Sequence, residues 1–429
     1  MPNAHVPWWE IDRREQGGRR SLRAVKVGIV VPFSWSYIGG VGEHAECQAE
    51  ALEALGVETR LIMGDDPPRS LSRLIHTDAS RDDARPPRVV SVGTSVVVPA
   101  NGSRPHIVLS PAALPRMRRL LRRESFDLLH LHEPMTPAIC VAALALARCP
   151  IVATWHATGE LGWMKAGMPL WGFLMERIDY RIAVSELARS SAARYLPGDY
   201  EIMPNGITIP PQADPGGRRH TVVYIGRNDP RKGLEVLLRA WPEVHKRTGA
   251  GLRLIGAAPR SVRLLMARRG LSDEGVDLMG VVVGDPLTSE LRTAKLLVAP
   301  SLGGESFGMV LARAFGCATP VVASDIPGYA RVMTPEVGVT IPPGDAEALA
   351  EAIIALLENE PRRQALGAAA RARALERYAW SQLARRLLSI YREVTSPAVR
   401  RGALSAEPAL VLSAQSRRPP SAGTARDPA

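Results

Sequence analysis

The chain has 429 residues, with 54 Lys and Arg against 43 Asp and Glu, for a net charge of +11 at neutral pH. That length is enough for two or three domains, each with a proper core. Hydrophobic residues at 46% and charged residues at 23% exclude a wholly disordered chain. Four scattered cysteines (Cys47, Cys140, Cys149 and Cys317) exclude a disulfide scaffold and a zinc ribbon, and fit a reducing cytoplasm.

Residues 1–24 lack an apolar signal segment and read as a disordered extension. From residue 25 the pattern is strand, glycine loop, helix. The apolar run 25–32 predicts a parallel strand covered on both faces. Gly39-Gly40 follows, then a helix through Ala54 closed by Gly56. A second strand is predicted at 57–63, a polar surface excursion at 65–87 and a third strand at 89–98. After a turn at Asn101-Gly102 come a helix from about Leu114 and strands at 126–131, 150–155 and 180–184. The longest apolar run, 137–147, is cut by Arg148 and falls short of the ~20 residues of a membrane span, so it reads as a buried helix.

The Pro- and Gly-rich stretch 209–217 reads as a linker. A second series of strands is predicted at 221–225, 252–255, 276–279, 296–299 and 320–323. The tail 396–429 is rich in Pro, Ser, Ala and Arg and reads as disordered. Alternating strands and helices predict an α/β fold with two Rossmann-like lobes, 25–211 and 212–375, facing across a cleft. Ligands then bind at the carboxyl ends of strands.

Four places at such ends carry chemistry. Gly39-Gly40-Val41 is either a tight turn or an anion site, because glycine admits close backbone approach and a helix start favours negative charge. His130 and His132 alternate onto one face of a strand. His130 reads as a core histidine and His132 as a cleft residue, with His156 similarly placed after the next strand. Arg227 and Lys232 flank the loop after the first strand of the second series, a pair able to neutralise a departing diphosphate or simply a solvated loop. Gly303-Gly304-Glu305-Ser306-Phe307-Gly308 joins a glycine loop, a carboxylate acceptor and a helix start.

Together with Asn101-Gly102-Ser103, His132-Glu133-Pro134, Ala153-Thr154-Trp155-His156, Pro204-Asn205-Gly206 and Arg231-Lys232-Gly233, these segments make the chain resemble family 4 retaining glycosyltransferases of the GT-B fold. Within that family it resembles the actinobacterial GDP-mannose-dependent phosphatidylinositol mannosyltransferases, from about residue 25 to 394. The resemblance implies a deep interdomain cleft and a C-terminal helix, 376–395, returning toward the first lobe. It implies a nucleotide-sugar donor held by Gly40, Arg227, Lys232, Glu305, Ser306, Phe307 and Gly308. His132 contacts the transferred sugar, and His132, Arg227, Lys232 and Glu305 carry catalysis. Asn101, Ser103 and His106 are the implied acceptor contacts, and no metal or cofactor is expected.

The sequence departs from the family at Arg313, a donor-site position where the family has a glutamate that accepts the ribose diol. Guanidinium has no acceptor. Phe33, Gly42, Ala100 and His106 also replace residues usual near the acceptor headgroup. Arg313 therefore raises two alternatives, a different donor or acceptor, and a member that binds without turnover. Leu114, Met117, Leu120 and Leu121 share one helical face, with Arg116, Arg118, Arg119, Arg122 and Arg123 on the other. That is a basic amphipathic helix suited to an anionic membrane surface, or a surface helix whose apolar stripe meets its own sheet. The resemblance implies membrane contact through a basic helix here, and with it a cytoplasmic, peripheral position on the inner face of the cell membrane. Arginine clusters without interleaved aromatics argue against nucleic acid.

Overall fold

The computed structural model describes residues 25–71, 73, 81, 85–98, 105–157, 172–212 and 217–396. The expected disordered ends, the Asn101-Gly102 turn and part of the linker lie outside them.

Two sheets form. The first contains β1 Lys26–Ser34, β2 Glu58–Gly64, β3 Val89–Gly93, β4 Ser95–Val97, β5 His106–Val108, β6 Leu128–His132, β7 Ile151–Trp155, β8 Tyr180–Ala183 and β9 Glu201–Ile202. Its parallel order is β3-β2-β1-β6-β7-β8-β9, with β4 and β5 an antiparallel pair attached to the end of β1 at Phe33–Ile107. The second contains β10 Arg219–Ile225, β11 Gly251–Ile255, β12 Val276–Gly280, β13 Ala294–Ala299, β14 Val321–Ser324 and β15 Gly338–Ile341, parallel in the order β12-β11-β10-β13-β14-β15. In each sheet the strand order reverses between two neighbours, β1 and β6 in the first and β10 and β13 in the second. A crevice at the strands' carboxyl ends opens at such a point.

Alternation along β1 builds two cores. Val30 packs with Leu129, Leu131, Met117, Leu120 and Ile139 on one side of the sheet. Val27, Ile29 and Val31 pack on the other with Leu383, Leu387, Ile390 and Tyr391 of the C-terminal helix Trp380–Thr395. That helix, at the end of the chain, thus rests on the first lobe. The crossing is fixed by a backbone exchange, Ile207 N–H to Tyr378 O at 2.7 Å and Trp380 N–H to Ile207 O at 3.2 Å. A Cβ at Gly206 would lie 2.4 Å from the Trp380 indole, so the close crossing requires glycine. Arg386 holds both carboxylate oxygens of Glu201, at 2.9 and 2.6 Å.

Three expectations change. The run 89–98 is not one strand: it breaks at Thr94, and 95–97 leaves the parallel sheet to pair with β5. The stretch from 65 is not all surface, because Asp66 is fully buried and accepts from the hydroxyls of Ser34 and Ser95 at 2.5 and 2.6 Å. On the helix Ala113–Glu124, Met117 and Leu120 enter the protein's own core, Leu121 is half-buried and Leu114 stays 53% exposed. Its five arginines are all exposed. The stripe therefore serves the sheet, and what faces outward is charge with one leucine. Among the described residues no helix is long and apolar enough to cross a membrane.

Candidate active site

The first crevice lies where β1 and β6 end. Gly39 and Gly40 are exposed there, and a Cβ on either would meet nothing within 4 Å. Among the described residues nothing packs against these two positions, so the backbone there is open to close approach. The helix Gly40–Glu53 starts at once, with orphan N–H groups in its first turn.

His132 closes β6 and is fully buried, beneath the surface and not on an open wall. Its ring stacks on His130, centroids 4.8 Å apart and planes within 1°, the common face that strand alternation predicts. His130 is a satisfied core residue: Nδ1 meets the Tyr391 hydroxyl at 2.6 Å and Nε2 the Thr154 hydroxyl at 2.7 Å. His132 Nδ1 meets His156 Nε2 at 2.8 Å, and His156 Nδ1 meets Asn205 Oδ1 at 3.1 Å. His44 joins edge-on, 4.8 Å from the His156 ring.

One ring nitrogen each of His44, His132 and His156 lies within 4.8 Å of the others, the spacing of a metal cage. Both nitrogens of His156 are engaged, however, so a three-histidine cage would have to break its bond to His132 or its bond to Asn205. The arrangement is a hydrogen-bonded chain first.

Burial pushes all four imidazoles down, His156 to about 4 against the opposing bond to Asn205 and His130 to about 3, with His44 and His132 well below the usual range; repulsion from neighbouring rings adds to the fall at His44, His130 and His132. They are neutral when folded and take up protons when unfolded below ~6.5. Their contribution to stability is therefore complete above that value and is lost as pH falls toward 4, by ~1.4 kcal/mol per pH unit for each histidine. The urea midpoint should drop steeply between about pH 7 and pH 5; a constant midpoint would contradict the neutral cluster.

Glu133, which follows His132, adopts φ 51° and accepts the backbone N–H groups of His156 and Ala157, each at 2.6 Å. It clamps the ends of β6 and β7 together, and burial raises its carboxyl.

The second crevice lies where β10 and β13 end. Asp229 accepts from Arg231 N–H at 3.0 Å and starts the turn Pro230–Lys232, which ends at Gly233 with φ 68°. A Cβ on Gly233 would stand 1.8 Å from the Pro300 carbonyl, so only glycine lets this turn press against the end of β13. The contact sets Lys232 Nζ 2.5 Å from Glu305 Oε1. Arg227, earlier in the same loop, is exposed. The loop then reaches Gly308, φ 83°, where the helix Met309–Gly316 begins. Ser306 is half-buried, and the Phe307 ring is buried edge-on to Tyr378 at 5.5 Å, which leaves Phe307 only its backbone to offer a ligand.

The lobes meet through a pair separated by 270 positions. Arg313, on the helix after the second crevice, donates to Glu43 Oε2, in the first helix of the other lobe, at 2.6 Å. Both side chains remain partly exposed. Beside the cleft, a groove of about 1010 Å³ is lined by Arg181, Glu201, Arg331, Tyr378 and Arg386, and shares only Phe307 with the candidate residues.

The structure thus pairs Lys232 with Glu305 and gives Arg313 a partner, while His132 belongs to a separate buried cluster. His106 is buried and stacked on Tyr37, centroids 3.4 Å apart, and Asn101 and Ser103 lie outside the described residues. Sequence reasoning did not name Glu43 or His44, which lie just past the quoted Gly39-Gly40-Val41, and it quoted Glu133 and Asn205 only as parts of motifs, without assigning either a role.

Comparisons with known proteins follow the two lobes. The Glycosyltransferase Family 4 model matches residues 38–209 and the model of glycosyl transferases group 1 matches 219–359. A phosphatidyl-myo-inositol mannosyltransferase of Mycobacterium leprae is 36% identical over 384 residues, 87% of this chain and 98% of the relative. A GDP-mannose-dependent monoacylated alpha-(1-6)-phosphatidylinositol monomannoside mannosyltransferase of Corynebacterium glutamicum is 27% identical over 212 residues, 44% of this chain and 55% of the relative. Among solved structures, sucrose-phosphate synthase of Thermosynechococcus elongatus is similar in fold, with a TM-score of 0.67 at 20% identity, covering 86% of this chain and 99% of its own.

Proposed function

The chain belongs to glycosyltransferase family 4, with the two-lobed GT-B fold and the activity of a hexosyltransferase, and on that premise we propose that it moves mannose from GDP-mannose onto a phosphatidylinositol-type lipid with retention of configuration. The observation that carries the reading is the Lys232–Glu305 pair, 2.5 Å apart at the point where the second sheet reverses order.

In this reading Lys232 and Arg227 neutralise the diphosphate as it leaves. Negative charge grows there in the transition state, so a fixed cation acts on turnover more than on binding. Glu305 Oε1 orients the ammonium, and its other oxygen accepts from hydroxyls of the donor sugar. Gly40 and the Ser306–Gly308 backbone admit the phosphates to two helix starts. His132 contacts the sugar near the reacting carbon. The carboxylates that follow β1, β6, β10 and β13 are each engaged, Glu43 by Arg313, Glu133 by two amides, Asp229 by Arg231 and Glu305 by Lys232. That supports attack on the face the leaving group vacates, through an oxocarbenium-like state, without a carboxylate nucleophile.

The lipid acceptor requires a membrane surface, and the exposed Arg116, Arg118, Arg119, Arg122 and Arg123 supply charge for docking on anionic lipid. Replacing Arg118, Arg119 and Arg122 with Gln should weaken binding to phosphatidylinositol-containing vesicles roughly a hundredfold, at ~1 kcal/mol per charge, and leave folding unchanged. Unaltered vesicle binding would move the docking surface elsewhere. The donor is tested by a panel of GDP- and UDP-linked hexoses with and without such vesicles. GDP-mannose should be consumed fastest and only with lipid present; preference for a UDP-sugar would overturn the donor assignment.

A further inference from the structure

We propose that Asn205 and His156 are positioning residues that fix the tautomer of His132, so that it offers a bare nitrogen and not an N–H to the donor sugar. The geometry points to this through one continuous chain of contacts. Asn205 Oδ1 lies 3.1 Å from His156 Nδ1, and an amide oxygen only accepts, so the proton of neutral His156 sits on Nδ1. His156 Nε2 is then bare and must accept. Its neighbour at 2.8 Å is His132 Nδ1, which therefore carries the proton of His132. What remains is His132 Nε2, a lone pair that is buried and has no hydrogen-bond partner among the described residues.

Each link is held by the fold. Asn205 is buried between the end of β9 and the backbone crossing at Ile207, and His156 follows β7 with its own N–H fixed by Glu133. Burial keeps the rings neutral, so each has one proton to place. The chain is directional: turning the Asn205 amide over would reverse every donor and leave an N–H at His132 Nε2.

The consequence is chemical selection. A buried nitrogen with only a lone pair is satisfied by a hydroxyl donor and by nothing in a phosphate diester, which has only acceptors. His132 is thereby matched to a hydroxylated sugar ring and mismatched to the diphosphate, which orients the donor end to end in the cleft. This rests on the reading of His132 as a sugar contact, and adds the residues that make it one.

The test has one readout independent of turnover. Long-range proton–nitrogen spectra of the protein labelled with ¹⁵N at its nine histidines, assigned by single substitutions, should show His132 and His156 both as Nδ1–H tautomers. His132 found as the Nε2–H tautomer overturns the proposal, even in a protein that transfers no sugar. In turnover, Asn205→Leu should lower kcat about tenfold to a hundredfold with donor KM changed less than about threefold. Asn205→Asp, which keeps an acceptor oxygen, should retain kcat within about threefold. His156→Gln, which presents an acceptor to His132 Nδ1, should retain more activity than His156→Leu. Equal losses in the paired variants would mean a merely structural role and overturn it. A donor lacking the contacted hydroxyl should be penalised by the wild type and much less by Asn205→Leu; an equal penalty in both also contradicts it.

Discussion

Lys232→Ala is expected to lower kcat about a hundredfold to a thousandfold, the loss of one preorganised group facing charge that develops in the transition state. Lys232 stands on a turn that Gly233 allows to press against Pro300, and Glu305 holds its ammonium at 2.5 Å. The cation is in place before the diphosphate begins to leave, so its effect falls on kcat, with a smaller change in donor KM. Both partners are partly exposed, 27% and 15%, so the pair adds no more than about 1 kcal/mol to stability and the variant should melt close to wild type. Lys232→Arg should recover only part of the loss, because a planar guanidinium cannot keep the point contact to Glu305. Steady-state kinetics alongside thermal melts decide it. Full activity in Lys232→Ala would remove this residue from the mechanism.

Arg313→Glu should raise donor KM at least about tenfold, and adding Glu43→Arg should restore most of it. The single change sets two carboxylates against each other across the cleft where an ion pair of 2.6 Å now joins the lobes. The double change recreates the pair in reverse. Close charged partners couple by ~0.5–3 kcal/mol, so the departure from additivity is measurable. The resemblance to the family expects a carboxylate at 313; in this chain the residue there is an arginine that binds a carboxylate of the other lobe, Glu43. Arg313 is thus a residue with a partner and not simply the loss of an acceptor. If Arg313→Glu alone tightened nucleotide binding, the reading of a member that had lost its donor contact would stand instead.

The architecture was legible because parallel strands buried on both faces leave mainly apolar runs without a polar face, as in β1, β6, β7 and β13. The rule that ligands meet such sheets at the carboxyl ends of strands directed attention to the loops after β1, β6, β10 and β13, whereas the reversal of strand order that marks each crevice is visible only in the fold. Short elements escaped: β5 and β9 have three and two residues, too few to show a period of two, and β15 has only four. The residues 89–98 looked continuous because the break at Thr94 depends on which partner each half finds. Helical periodicity showed that Met117 and Leu120 share a face but not what that face meets, and their own core claims them. Contacts between distant positions carry no local signal. Nothing near Glu43 announces Arg313, and nothing near His132 announces Asn205, 73 positions away.

The central claim is transfer of mannose to a phosphatidylinositol-type lipid, and its most direct measurement is the product. GDP-mannose labelled in the sugar is incubated with the full chain and vesicles containing phosphatidylinositol, or phosphatidylglycerol at equal charge, and the lipid fraction is analysed by mass spectrometry and anomeric proton coupling. A single α-linked mannose on the inositol lipid, with none on phosphatidylglycerol, is the result predicted. GDP-mannose turnover that leaves free mannose and no glycolipid, or a β-linked product, would contradict it.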